Sequence, residues 1–213
     1  MISRAALKVA LCLAALIWLG SPATAQAQSI IKQPGNHPDY SVEIEPHLAF
    51  QWAGRLGANE GFGPGARVNI PFMHNGPIST INNNMGISFG LDVTFGDGGL
   101  GYCYGPYYDR RLYNGYDCSV TEFWLPVAMQ WNFWLTKVIS VFGEPGFAIA
   151  HRRWNYDVYC NGNLGDPACD RHFSATDIDF IFAGGGRFMF SDHVGATVRI
   201  GYPMITAGIN FLL

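Results

Sequence analysis

Long apolar runs are scarce in this 213-residue chain, and that scarcity makes the first exclusion. The longest, Val9 to Leu19, falls short of the roughly 20 residues a spanning helix needs, so no segment is expected to cross a membrane as a helix. Basic residues are also few: 13 Lys and Arg stand against 16 Asp and Glu, which argues against nucleic acid as a partner. Paired C-x-x-C motifs are missing altogether. Zinc held by Cys160, Cys169 and His172 would lack a fourth ligand, and no cofactor is expected. Gly96-Asp97-Gly98-Gly99-Leu100-Gly101 spells G-x-G-x-x-G, but a Tyr- and Cys-rich loop follows it instead of a helix, so there is no helix N-terminus to hold a pyrophosphate.

What is present begins with an address. Arg4 and Lys8 precede the apolar run, and Gly20, Pro22 and the small-residue sites around Ala23, Ala25 and Ala27 follow it. This pattern predicts a secretory signal peptide over residues 1–27. Its removal takes Cys12 away and leaves 11 basic against 16 acidic residues. Four cysteines remain, Cys103, Cys118, Cys160 and Cys169, an even number in an exported chain, which favours disulfides. Three pairings are open. Cys103 with Cys118 and Cys160 with Cys169 is preferred, because each pair brackets a single turn-rich stretch.

The body of the chain is organised by alternation. In Ser41–Trp52, Val42, Ile44, Pro46, Leu48, Phe50 and Trp52 oppose Glu43, Glu45, His47, Ala49 and Gln51, the period of a strand with different surroundings on its two sides. Eleven such residues tilted by about 40° rise roughly 27 Å, the height of the apolar band of a transmembrane barrel. Similar runs are expected over 66–73, 87–95, 122–133, 139–149, 176–188, 194–202 and 205–213, with long loops over 96–121 and 151–174. The phase of the fifth run is the least regular, since Phe142 interrupts its polar face. The sequence therefore predicts an all-β fold, an eight-stranded antiparallel up-and-down transmembrane β-barrel over residues 40–213.

Both long connections fall after odd-numbered strands, as bacterial barrels place their extracellular loops. A soluble barrel would reverse the faces, apolar inside and polar outside, yet the polar faces here are too sparse in charge and too rich in glycine to coat a wall in water. Those faces carry Glu43, Glu45, Arg67, Asp92, Glu122, Glu144, Asp177, Asp179, Arg187 and Arg199, a candidate charge network in the lumen. Greasy-face aromatics cluster near strand ends: Trp52, Phe95, Phe123 and Tyr202 at one rim, Trp131, Phe133 and Phe211 at the other. Pro46, Pro71, Pro126 and Pro145 fall inside strands, where bulges are expected to absorb each missing donor.

With the signal, the eight alternating runs and the apolar last run Ile205, Ala207, Ile209 and Phe211 in view, the stretch from about Tyr40 to Leu213 resembles the small outer-membrane barrels of the OmpA, OmpX and OmpW-like group. The resemblance implies the outer membrane of a Gram-negative bacterium, outer-membrane lipid as surroundings and the barrel-assembly machinery as a partner during insertion. Members of the group commonly end on an aromatic residue; this chain ends on Leu213. His172-Phe173-Ser174 is similar to the H-x-S pair of the outer-membrane lipid A 3-O-deacylases, but Ala175 stands where that family has asparagine.

Three functions stay open at this stage. The first is a non-enzymatic structural or surface-interaction role, with an extracellular ligand or surface met by loop residues Tyr104, Tyr107, Tyr108, Arg110 and Arg111, because Tyr and Arg suit contact surfaces. The second is a narrow pore for small or apolar solutes, and the third a lipid A-modifying hydrolase.

Overall fold

The computed structural model describes residues 28–53, 60–97, 118–156 and 171–213. Eight strands form one closed barrel in chain order: β1 (Glu43–Gln51), β2 (Gly61–Met73), β3 (Asn83–Asp97), β4 (Cys118–Trp134), β5 (Ile139–Tyr156), β6 (Arg171–Met189), β7 (Val194–Tyr202) and β8 (Met204–Leu212). Every neighbouring pair is antiparallel, and β1 closes the wall on β8. Closure leaves no continuous open edge, which is the condition for a sheet to stand in lipid.

The two faces of the wall differ as alternation dictates. Leu48, Val127, Ile200 and Phe147 project outward at 55, 57, 64 and 60% exposure, whereas Glu43, Asp92, Gln130 and Arg152 project inward and are sealed. A wall greasy outside and charged inside is built for a bilayer. The fifth run keeps its phase: Phe142 points into the lumen with 5% exposure. Gly185 makes this fit, because a Cβ there would overlap the Phe142 ring.

Several strand boundaries differ from those expected. Strand β2 starts at Gly61 instead of 66, because the glycine-rich GFGPG pairs with β1 out to Gln51. The loops expected over 96–121 and 151–174 are shorter than that: β3 runs to Asp97 and β4 starts at Cys118, while β5 continues to Tyr156 and β6 starts at Arg171. Turn-forming and polar residues masked a pairing that runs unbroken from Ile149–Ile178 to Tyr156–Arg171.

The prolines also behave differently from expectation. Only Pro71 coincides with a register shift, between β2 and β3. At Pro46 the β1–β8 pairing passes from Ile44–Phe211 to His47–Gly208 in unchanged register. At Pro126 the β3–β4 ladder skips likewise from Phe89–Val127 to Asp92–Trp124, and at Pro145 the β4–β5 ladder from Ala128–Gly146 to Trp131–Gly143. Each proline stays paired on its other side, with Ala66, Ala148 and Phe182. A missing N–H thus interrupts one ladder locally, and a closed barrel tolerates that without a bulge.

Sequence reading missed the segment before β1. Residues 28–42 fold under the end of the barrel that holds the short turns, with Ile30 N–H donating to Leu135 O at 2.9 Å and Asn82 N–H to Ile31 O at 2.7 Å. Ile30 and Tyr40 bury against Trp134, Met189 and Leu212, and His37 stacks on Trp134 at 5.8 Å. Asn84 donates to the Tyr40 hydroxyl at 3.1 Å. Burial, and then the Glu43 carboxylate, push the Tyr40 phenol up to about 12, so it stays neutral. This end of the lumen is stoppered by the chain itself.

The face assignment makes a prediction. Leu48→Arg, in the middle of β1 on the outer face, should cost about 2–4 kcal/mol in reversible unfolding from lipid vesicles, because the charge meets neither water nor a partner there. The same change at exposed Ser191, in the β6–β7 turn, should leave stability within about 0.5 kcal/mol.

Candidate functional site: the barrel lumen

Alternate residues of all eight strands meet inside the barrel, where an eight-stranded wall leaves room only for side chains. They arrange in layers. Nearest the stoppered end, Arg187 of β6 donates to both Glu43 oxygens, at 2.5 and 2.7 Å, and its guanidinium lies 5.7 Å from each of the Trp134 and Phe142 rings. Asn69 donates to the same carboxylate at 3.3 Å.

One step further in, Arg199 of β7 donates through Nε to Glu144 at 2.9 Å and through Nη1 to Glu45, with Phe142 at 5.1 Å. The side-chain amide of Gln130 joins the two layers, accepting from Arg187 Nη2 at 3.0 Å and donating to Glu144 Oε1 at 3.1 Å. His47 continues the row of polar contacts. Its Nε2 lies 2.6 Å from Asp92 Oδ1, and its Nδ1 lies 3.3 Å from the Glu45 carbonyl oxygen and 3.6 Å from the Glu45 carboxylate. Both ring nitrogens therefore face acceptor oxygens. Arg67 closes the row, donating to Asp92 Oδ2 at 2.8 Å. Gly65 leaves the space for it, since a Cβ there would run into both His47 and Asp92.

An apolar layer follows, made by Ala49, Trp124, Ala128, Ala148, Ala150, Ile181 and Met204. Above it sits a separate knot on Arg152 of β5, which donates to Glu122 at 3.1 Å, Asp177 at 3.1 Å and Asp179 at 2.7 Å and lies 5.1 Å from the Trp124 ring. Gln51 ties Glu122 to Thr94 and to the Trp124 indole.

All ten charged residues named from the sequence project into the lumen, and Asp177, at the far rim, is the least enclosed, with a third of its side chain exposed. They fall into two groups instead of one network: Glu43, Glu45, Arg67, Asp92, Glu144, Arg187 and Arg199 on one side of the apolar layer, Glu122, Asp177 and Asp179 on the other. Two members were missed. The loop expected over 151–174 takes in Arg152, although Ala148, Ala150, Arg152 and Trp154 continue one alternating face. His47 lies on the polar face of the first run but outside the charge set that the sequence offers. Cys103, Cys160, Cys169, Tyr104, Tyr107, Tyr108, Arg110 and Arg111 lie outside the described residues, and Cys118 opens β4. His172 and Ser174 lie within β6, paired with Asn155 and Arg153, and Ser174 is exposed.

Burial decides what this interior can do. Glu43, Glu45, Asp92, Glu144, Arg187 and Arg199 are each at most 3% exposed, packed against one another and not along an open channel. Taking such ions out of water costs several kcal/mol apiece, and only close carboxylate-guanidinium contacts offset that.

A closed eight-stranded wall with an apolar exterior and a packed, ion-paired interior defines a fold class, the small eight-stranded transmembrane β-barrels. No protein-family model and no curated protein matches the sequence. Among solved structures, Ail, the attachment invasion locus protein of Yersinia pestis, is similar at 13% identity over 81% of this chain and 99% of its own, with a TM-score of 0.45. Neisserial surface protein A is similar at 13% identity over 81% and 97%, with a TM-score of 0.44. Omp33 of Acinetobacter baumannii aligns at 11% identity over 83% and 99%, with a TM-score of 0.22.

The pairing makes the second prediction. Arg199→Met leaves Glu45 and Glu144 buried without their cation and should cost about 3–5 kcal/mol in urea unfolding. Adding Glu45→Gln and Glu144→Gln should restore part of that loss. Additive losses across the three substitutions would show that the ions do not act as a unit.

Proposed function

We propose that this protein is a non-enzymatic outer-membrane barrel with a structural or surface-contact role, exercised at its far rim and not by passage through its lumen. The carrying observation is the interior: Arg187 and Arg199 with their carboxylates are sealed from water, and residues 28–42 stopper one end. Strand lengths point the same way. Strands β3 to β6 have 15, 17, 18 and 19 residues, whereas β1, β7 and β8 have nine. The eleven β6 residues Arg171–Ile181 precede its first pairing with β7, at Phe182–Tyr202. A four-stranded sheet therefore rises past the β7–β8 turn and carries the connections 98–117 and 157–170. In this reading Tyr104, Tyr107, Tyr108, Arg110 and Arg111 make the contact with an extracellular ligand or surface, and Cys103–Cys118 and Cys160–Cys169 disulfides close the loops.

In planar bilayers the folded protein should give no discrete conductance steps; regular steps would revive the narrow pore. Peptide maps without reductant should show the two within-loop disulfides, and a Cys103–Cys160 or Cys103–Cys169 link would reject that pairing. Replacing Tyr104, Tyr107 and Tyr108 by serine should leave unfolding unchanged while lowering adhesion of protein-bearing cells to a protein-coated surface severalfold. Unchanged adhesion would remove the contact role from these residues.

A further inference from the structure

On the outer wall of the four-stranded sheet that rises past the β7–β8 turn, the change from apolar to polar falls at the same height in the register of three neighbouring strands. Val127 of β4 lies beside Phe147 of β5 and Phe180 of β6, and Leu125 beside Ile149 and Ile178, two rows that are apolar and exposed throughout. The next row up is Phe123, His151 and Thr176, and the one above that is Thr121, Arg153 and Ser174. Glu122, Arg152 and Asp177, which alternate with these residues along the strands, meet in the lumen, so neither polar row holds a carboxylate.

Arg153 stands at the centre of the upper row. It is exposed on the outer face, and Thr121 and Ser174 flank it with Cβ atoms about 5 Å away, the spacing of directly opposed residues in a sheet. One row down, His151 Nδ1 lies 2.8 Å from Thr176 Oγ1, and the His151 ring 6.4 Å from that of Phe123. In the lumen Arg67, Arg152, Arg187 and Arg199 each meet a carboxylate, whereas Arg153 is set between hydroxyls. A guanidinium offers parallel N–H donors matched to two oxygens of a phosphate, and hydroxyls on either side can reach a third, which suits a tetrahedral anion better than a planar one.

From this geometry we propose a site on the outer wall for the phosphorylated headgroup of a lipid. Its phosphate accepts from the Arg153 guanidinium and from the Thr121 and Ser174 hydroxyls, and its acyl chains run down over Leu125, Ile149 and Ile178. The apolar rows directly beneath the donors point to a lipid as the source of the phosphate, since a free anion would make no contact with them. The positive charge sits at the level where lipid headgroups meet water, which is where a basic side chain attracts anionic lipid. The site faces the bilayer and is independent of any contact made by the connections 98–117 and 157–170.

The test is native mass spectrometry of the folded barrel released from detergent micelles after titration with dioleoylphosphatidic acid and, in parallel, with dioleoylglycerol, which has the same chains and no phosphate. Phosphatidic acid should be retained saturably, dioleoylglycerol should bind about tenfold more weakly, and excess inorganic phosphate should not displace the lipid. Arg153→Gln, which removes the charged fork, should weaken retention of phosphatidic acid about tenfold. Lys137→Gln, the same loss of charge in the exposed β4–β5 turn at the other end of the barrel, should leave retention unchanged. Should Arg153→Gln fail to fold, as judged by heat-modifiable gel mobility, Thr121→Val with Ser174→Ala decides in its place, with an expected loss of about threefold. No saturable retention, equal retention of dioleoylglycerol, displacement by inorganic phosphate, unaltered retention in the folded Arg153 variant or in the hydroxyl pair that replaces it, or an equal loss in Lys137→Gln would each overturn the proposal.

Discussion

A guanidinium taken out of water costs several kcal/mol unless carboxylates meet it, and an eight-stranded lumen has little room for the water that would otherwise do so. Each layer of this barrel is arranged around that constraint. Arg187 has Glu43, Arg199 has Glu45 and Glu144, Arg67 has Asp92, and Arg152 has three acids at once. Aromatic rings complete the coordination: Phe142 lies against two arginines, and Trp134 and Trp124 against one each. Because these partners come from different strands, the ion pairs also fix register. A slip of one residue on β6 would turn Arg187 towards lipid and leave Glu43 alone inside.

The exterior answers a different solvent with the same alternation. Trp52 illustrates the join, its ring half exposed at the rim and its indole N–H donating to Gly201 O at 2.9 Å. Trp131 does the same at the other end, donating to Asn83 at 3.0 Å. Such side chains have an apolar body and one polar atom, so they settle where lipid meets water. The stopper formed by residues 28–42 uses the same chemistry, with Ile30 buried and its backbone tied to the turns.

The wall was legible in the sequence because period-2 alternation reports faces directly, and each of the ten charges named from it projects inward. Boundaries were less legible. Gly61, Gly63 and Pro64 look like loop residues, but pairing to β1 holds them in a strand; Arg152 and Trp154 lie between histidine, asparagine and tyrosine, and only their spacing betrays the face. The division of the lumen charges was not legible at all. It depends on which residues share a height, set by the stagger between strands, so Asp92 meets His47 and Arg67 but never Arg199. Residues 28–42 carry no alternation, and their role follows from backbone hydrogen bonds that leave no pattern in sequence.

The sealed lumen is the claim on which the functional reading rests, and the exchange of the Arg199 Nε proton with water tests it most directly. In the folded barrel this proton is held by Glu144 at 2.9 Å, and both residues are only 3% exposed. NMR in nanodiscs at neutral pH should show it exchanging at least about a hundredfold more slowly than in free arginine. Exchange at the free rate would mean that water reaches the middle of the lumen, and that the interior is a channel in waiting instead of a packed core.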